Sequence, residues 1–145
     1  MSDEEAKGGE DEGFTVGKDV AESEFNRFGE AMDLDFDTTR MDEEDQKTFA
    51  KQKGLFIRAV RLGRLIVDKD GQPVYAPQVG DVKSIVFYEP DGACLMAIDE
   101  AKKNHDVAKS FKIMRSVTRQ PDVVFSKMKN RDLKVCQAVI NLFLG

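Results

Sequence analysis

From Asn130 to Leu144 apolar side chains occupy most sides of one helical segment, and that run restricts the folds open to this chain more than any other feature. Leu133, Cys136, Ile140 and Phe143 recur at three and four residues, the spacing of one helix face. Val135, Val139 and Leu142 form a second stripe beside the first. A surface helix of a small domain needs only one such stripe. Two stripes leave two solutions: both are buried in a core, or the second stays near the surface and takes a protein partner. Asn130 is placed to cap this helix, which is read as Arg131 to Leu144.

Local signals upstream set out the rest. Asp42-Glu43-Glu44-Asp45 puts negative charge at the start of a helix, where the dipole favours it. Phe49, Phe56, Ile57 and Val60 share a face of that helix, Arg58, Arg61 and Arg64 lie toward its end, and Gly63 stops it. Leu65–Val67 and Pro73–Tyr75 flank Asp68-Lys69-Asp70-Gly71-Gln72, a hairpin signal in which Gly71 supplies positive φ. Pro73 and Pro77 make the second strand short or an edge. A third strand is expected over Lys83–Tyr88. Asp91 then caps a helix to about Lys103, and Asp106 caps another in which Val107, Phe111, Met114 and Thr118 align. Pro121 breaks the pattern before a short turn through Phe125. The expected fold is α+β, mostly α: a helix, a short three-stranded meander, then three to four helices.

Charge divides the chain. Residues 1–45 hold 17 acids against 4 bases, a balance of -13, while residues 46–145 hold 10 acids against 18 bases, a balance of +8. Residues 1–21 carry few apolar groups (Phe14, Val16 and Val20 are the sizeable ones) and are expected to be a disordered acidic arm. Residues 22–41 read as a marginal helix bearing Phe25, Phe28 and Met32, then an acidic linker, and residues 42–145 as one domain. An acidic arm on a basic body either folds back on it, repels nucleic acid, or serves only to solubilise.

Most chemistries find no support. Asp33, Asp35, Asp37 and Glu44 have the spacing of a calcium loop, but Thr38 stands where glycine makes the turn and Arg40 where an apolar anchor belongs. The expectation is therefore no metal site and no cofactor. His105 has no Ser or Cys nucleophile paired with it in sequence, so no catalytic residues are assigned and no enzyme is expected. Lys102, Lys103, Lys109, Lys112, Arg115 and Arg119 are dense, yet lack the interleaved aromatics of a nucleic-acid surface. The apolar runs are too short to span a membrane. Cys94 and Cys136 read as reduced core residues.

Three stretches, Phe87–Ala101 with its Glu89-Pro90-Asp91-Gly92 corner, Ser126–Val135, and Cys136–Gly145, resemble the tail assembly chaperones of long-tailed bacteriophages. The resemblance implies a non-enzymatic phage or prophage protein that binds the tape-measure protein and keeps it soluble while the tail tube assembles. It implies the tape-measure protein as partner with the tail-tube protein as a second candidate, residence in the host cytoplasm, and absence from the mature virion. No nucleic acid or membrane partner follows from it, and self-association stays open. The partner-binding residues read from the second stripe are Val135, Val139 and Leu142. The alternative is an acidic regulatory protein whose arm mimics nucleic acid and blocks a basic partner.

Overall fold

The computed structural model describes residues 13–78, 83–94, 96 and 107–144. Among them lie the α-helices α1 (Lys18–Ala31), α2 (Glu43–Arg61), α3 (Val107–Thr118), α4 (Asp122–Ser126) and α5 (Asn130–Leu144), and the strands β1 (Leu65–Val67), β2 (Pro73–Tyr75) and β3 (Ile85–Val86). The architecture is α+β and mostly α, with one antiparallel sheet in the order β1-β2-β3.

Local chemistry accounts for the boundaries. The Asp42 carboxylate accepts the Asp45 amide at 2.8 Å and so satisfies one of the orphan donors of α2. In the hairpin, Leu65 faces Tyr75 and Val67 faces Pro73. The Asp68 carboxylate accepts the amides of Asp70 and Gln72, each at 2.9 Å, which closes the turn from within. Leu65, Val67, Tyr75, Ile85 and Phe87 are buried on one face of the sheet, while Ile66 is exposed on the other. Asp91 caps as expected, accepting the Cys94 amide at 2.8 Å, and residues 92–94 and 96 are helical. The rest of the helix expected to Lys103, and the Asp106 cap, lie outside the described residues.

Two expectations need correction. The third strand is Ile85–Val86 rather than Lys83–Tyr88, because β2 stops at Tyr75 and Pro77 has no amide to continue the ladder. The Tyr88 amide turns away to the Val117 carbonyl of α3 at 2.9 Å. At the other end, residues 13–21 are not a disordered arm. The Thr15 and Val16 amides both donate to the Arg61 carbonyl, at 2.7 and 3.1 Å, and α1 begins at Lys18 with Ala21 wholly buried. Docking on the end of α2 supplies the burial that the segment lacks by itself.

Residues 22–41 likewise belong to the main body. Phe25 stacks on Phe36 with ring centroids 4.7 Å apart, Phe28 stacks on Phe56 at 5.2 Å, and Phe28 meets Phe143 edge-on at 5.3 Å. This aromatic centre joins α1, the acidic linker, α2 and the last helix in one core. The Arg27 guanidinium adds a polar clamp, donating to the carbonyls of Val67 and Asp68 and pairing with Glu24 at 2.8 Å. It fixes α1 across the hairpin.

Candidate functional site

The second stripe of the last helix is not a surface. Val139 is fully buried, Leu142 is 2% exposed, and Val135 is half-buried against the core. These residues were expected nearer the solvent. The reason for the difference is that α5 packs against both α2 and α3, while Phe28 of α1 reaches Phe143, so α5 is covered on several sides at once. Leu142 does edge a small cleft of about 320 Å³ together with Phe36, Met41 and Phe49.

What α5 leaves at the surface is its polar side: Arg131, Lys134 and Gln137 are exposed and Asn141 half-exposed. Opposite them α2 presents Lys51, Leu55, Arg58 and Leu62, spaced by four, three and four residues along one helix face. The two helices run antiparallel, with Arg58 and Leu62 beside Arg131 and Val135 at one end and Gln52 beside Asn141 at the other. Between them lies a groove of two joined depressions, about 830 and 470 Å³, which share Leu55, Arg58 and Lys134. Leu55, Ala59, Leu62 and Val135 give it apolar walls. Its charged residues are Lys51, Arg58, Arg64, Lys129, Arg131 and Lys134, and no carboxylate lines it among the described residues. Among the described residues, no atom lies within 4 Å of where a Cβ added at Gly54 would sit.

A buried polar node holds one end of this groove in place. Asp132 is fully buried, and its Oδ1 accepts the Tyr75 hydroxyl at 2.6 Å and the Gln78 amide at 3.0 Å. Arg131 then donates to Gln78 Oε1 at 3.0 Å. The first turn of α5 is thereby tied to the end of β2. Burial pushes the Tyr75 hydroxyl well above its ordinary value, aided by the hydrogen bond to Asp132 and by that carboxylate's charge, with Arg64 acting weakly in the opposite sense. Burial, with Asp132 nearby, also pushes the Cys136 thiol up to about 12. Asp132 Oδ2 and Arg64 Nε are buried and have no hydrogen-bond partner among the described residues.

Asp35 accepts the Asp37 amide at 3.0 Å, and Asp37 accepts both the amide and hydroxyl of Thr39 at 2.9 and 2.7 Å. Those bonds, the hydroxyl first, hold the Asp37 carboxyl below its usual range. The carboxylates thus act as turn and helix caps, and no group of three or more potential metal ligands converges among the described residues. Of the dense basic group, Arg115 pairs with Asp122 at 3.7 Å and Arg119 stacks on Tyr88 at 3.9 Å. His105 lies outside the described residues. No described helix is long and apolar enough to cross a membrane.

The groove residues were missed in the sequence because Arg58, Arg61 and Arg64 read as charges complementing the end of a helix. The available signal was the Lys51, Leu55, Arg58, Leu62 row, which lies beside the Phe49, Phe56 and Val60 core face. Fold and groove together define a small, mostly helical α+β protein with a basic, apolar-walled cleft between two antiparallel helices. No family model, curated protein or solved structure matches the chain.

Proposed function

We propose that this chain is a non-enzymatic phage tail assembly chaperone, and that it takes an acidic, apolar-faced helical segment of the tape-measure protein into the α2–α5 groove. The groove is the observation that supports this reading. A helix of about 10–12 Å diameter bearing one apolar stripe would meet Leu55, Leu62 and Val135, while acidic flanks would meet Arg58, Arg131 and Lys134. Shielding such a segment needs a surface of this kind and no reacting groups. The resemblance over Phe87–Gly145 supplies the identity of the client.

This site replaces the apolar stripe of α5, and its basic rims make binding dependent on salt. Binding through basic rims weakens as salt rises, because exposed charges are screened within about 8–10 Å at physiological ionic strength. Co-expression with overlapping segments of the same phage's tape-measure protein tests the reading. At least one segment is expected to become soluble and co-purify, and to be lost from Arg131→Glu/Lys134→Glu protein that still folds. Failure of every segment to co-purify with the parent chain overturns it. Retention of a basic partner by that variant, abolished instead by neutralising acids within residues 1–45, supports the nucleic-acid mimic.

A further inference from the structure

Taking the α2–α5 groove as the client site proposed for the tape-measure segment, we infer that it also reads the direction of that client. The helix docks parallel to α2, with an acidic C-terminal half against Arg58, Arg131 and Lys134 and a basic N-terminal half beside Asp45. The groove is long enough for this. The cleft edged by Leu142 shares Gln52 and Asn141 with the 470 Å³ depression, which shares Leu55, Arg58 and Lys134 with the 830 Å³ one. One track thus follows α2 from Asp45 to Leu62, about 25 Å at about 1.5 Å per residue. Leu55 and Leu62 supply apolar surface toward one end, Phe36 and Phe49 at the other, with Gln52, Gln137 and Asn141 between.

Charge changes sign along this track. Where α5 begins, its lining holds Arg58, Arg64, Lys129, Arg131 and Lys134 and no carboxylate. Lys51 is the one charge added in the middle depression, and the far cleft is lined by Asp45 and no cation. Glu43 and Glu44 precede Asp45 in the same exposed turn, and only Glu43 is engaged, by Lys47 at 3.9 Å. Among the described residues, neither Asp45 nor Arg58, Lys129, Arg131 or Lys134 forms an ion pair. Each helix end carries about half an elementary charge, but α2 and α5 run antiparallel, so their dipoles oppose each other at both ends. The side chains therefore set the gradient. A client helix has a dipole of its own, negative at its C-terminus. Run parallel to α2, its dipole and its side chains are favoured together. Run the other way, its side chains can still be matched, but its positive end then lies among the cations. Base first and acid last is the order that weakens an isolated helix, so a preference for it cannot arise from the helicity of the free segment.

A pair of synthetic helical peptides of roughly 18 residues, titrated into the full chain, tests this. They share one composition, one apolar stripe and acetylated and amidated ends. One has lysines in its first half and glutamates in its second, and the other has the reverse order. The lysine-first peptide is expected to bind about tenfold tighter at about 0.05 M salt, where screening is weak. A nitroxide at its C-terminus should broaden the amide signals of Arg131 and Lys134, and one at its N-terminus those of Asp45 and Thr48. Arg131→Glu/Lys134→Glu protein should lose the preference. Equal affinities, tighter binding of the glutamate-first peptide, the reversed pattern of broadening, or no binding of either peptide overturns the inference. A tape-measure segment that co-purifies yet docks antiparallel to α2 sinks the direction alone. Failure of every such segment sinks the tape-measure reading, whichever peptide binds.

Discussion

Asp132 shows how much one side chain can decide here. It sits in the first turn of α5, where an acid normally faces water and complements the dipole, yet it is fully buried and accepts from Tyr75 and Gln78. Nothing in the sequence separates it from a solvated first-turn acid, because its partners lie more than 50 residues away. Tyr75→Phe should leave Oδ1 with the Gln78 amide alone and destabilise the fold by about 1–3 kcal/mol, the range for an unsatisfied buried acceptor. Urea denaturation reads this, and a loss below about 0.5 kcal/mol would remove the node from the account of stability. The node also sets a pH dependence. Tyr75 and Cys136 both hold their protons more tightly folded than unfolded, so unfolding releases protons and is favoured as pH rises. Stability should be intact below the ordinary thiol value of 9.0 and should fall as pH climbs toward about 12. A melting temperature that is flat or rising over that interval is the contrary result.

At the scale of elements, two glycines separate geometry from composition. Gly71 has φ of 83°, and a Cβ there would lie 2.1 Å from the Cβ of Ala31, so both the turn and the packing of α1 on the hairpin require hydrogen at that position. Gly71→Ala should cost about 2–5 kcal/mol, combining left-handed strain of about 1–2 with overpacking of about 1–3. Gly54 lies mid-helix in α2 with open space above it, and Gly54→Ala should stabilise by about 0.5–1 kcal/mol. Thermal melts of the two variants must move in opposite directions; equal shifts would contradict the distinction. The turn role of Gly71 was legible in Asp68-Lys69-Asp70-Gly71-Gln72, because turn chemistry is local. The contact with Ala31 was not, because it depends on where a helix 40 residues earlier comes to rest. The same contrast explains why the start of α2 and the hairpin followed from the sequence, while the start of α1 and the ends of β3 did not.

At the scale of the whole molecule, α5 is the post around which the other helices close. Its two stripes were legible, and so were the two ways of satisfying them, but the choice lay with α1, α2 and α3, which arrive from distant parts of the chain. With Val139 at 0% and Leu142 at 2% exposure, the choice is burial. Val139→Ser/Leu142→Ser should therefore unfold the protein. Each replacement forfeits about 1.5–3 kcal/mol of apolar burial, and a hydroxyl left without a partner in the core adds about 1–3 more. Against a total stability of about 5–15 kcal/mol for a domain, two such losses are decisive. Arg131→Glu/Lys134→Glu, on the exposed side of the same helix, should leave the melting temperature within a few degrees of the parent, since surface substitutions usually change stability by no more than about 0.5 kcal/mol. Circular dichroism melts of both variants decide the matter. A folded Val139→Ser/Leu142→Ser protein would mean that α5 is not held between its neighbours as described, and the groove built from its polar side would lose its foundation.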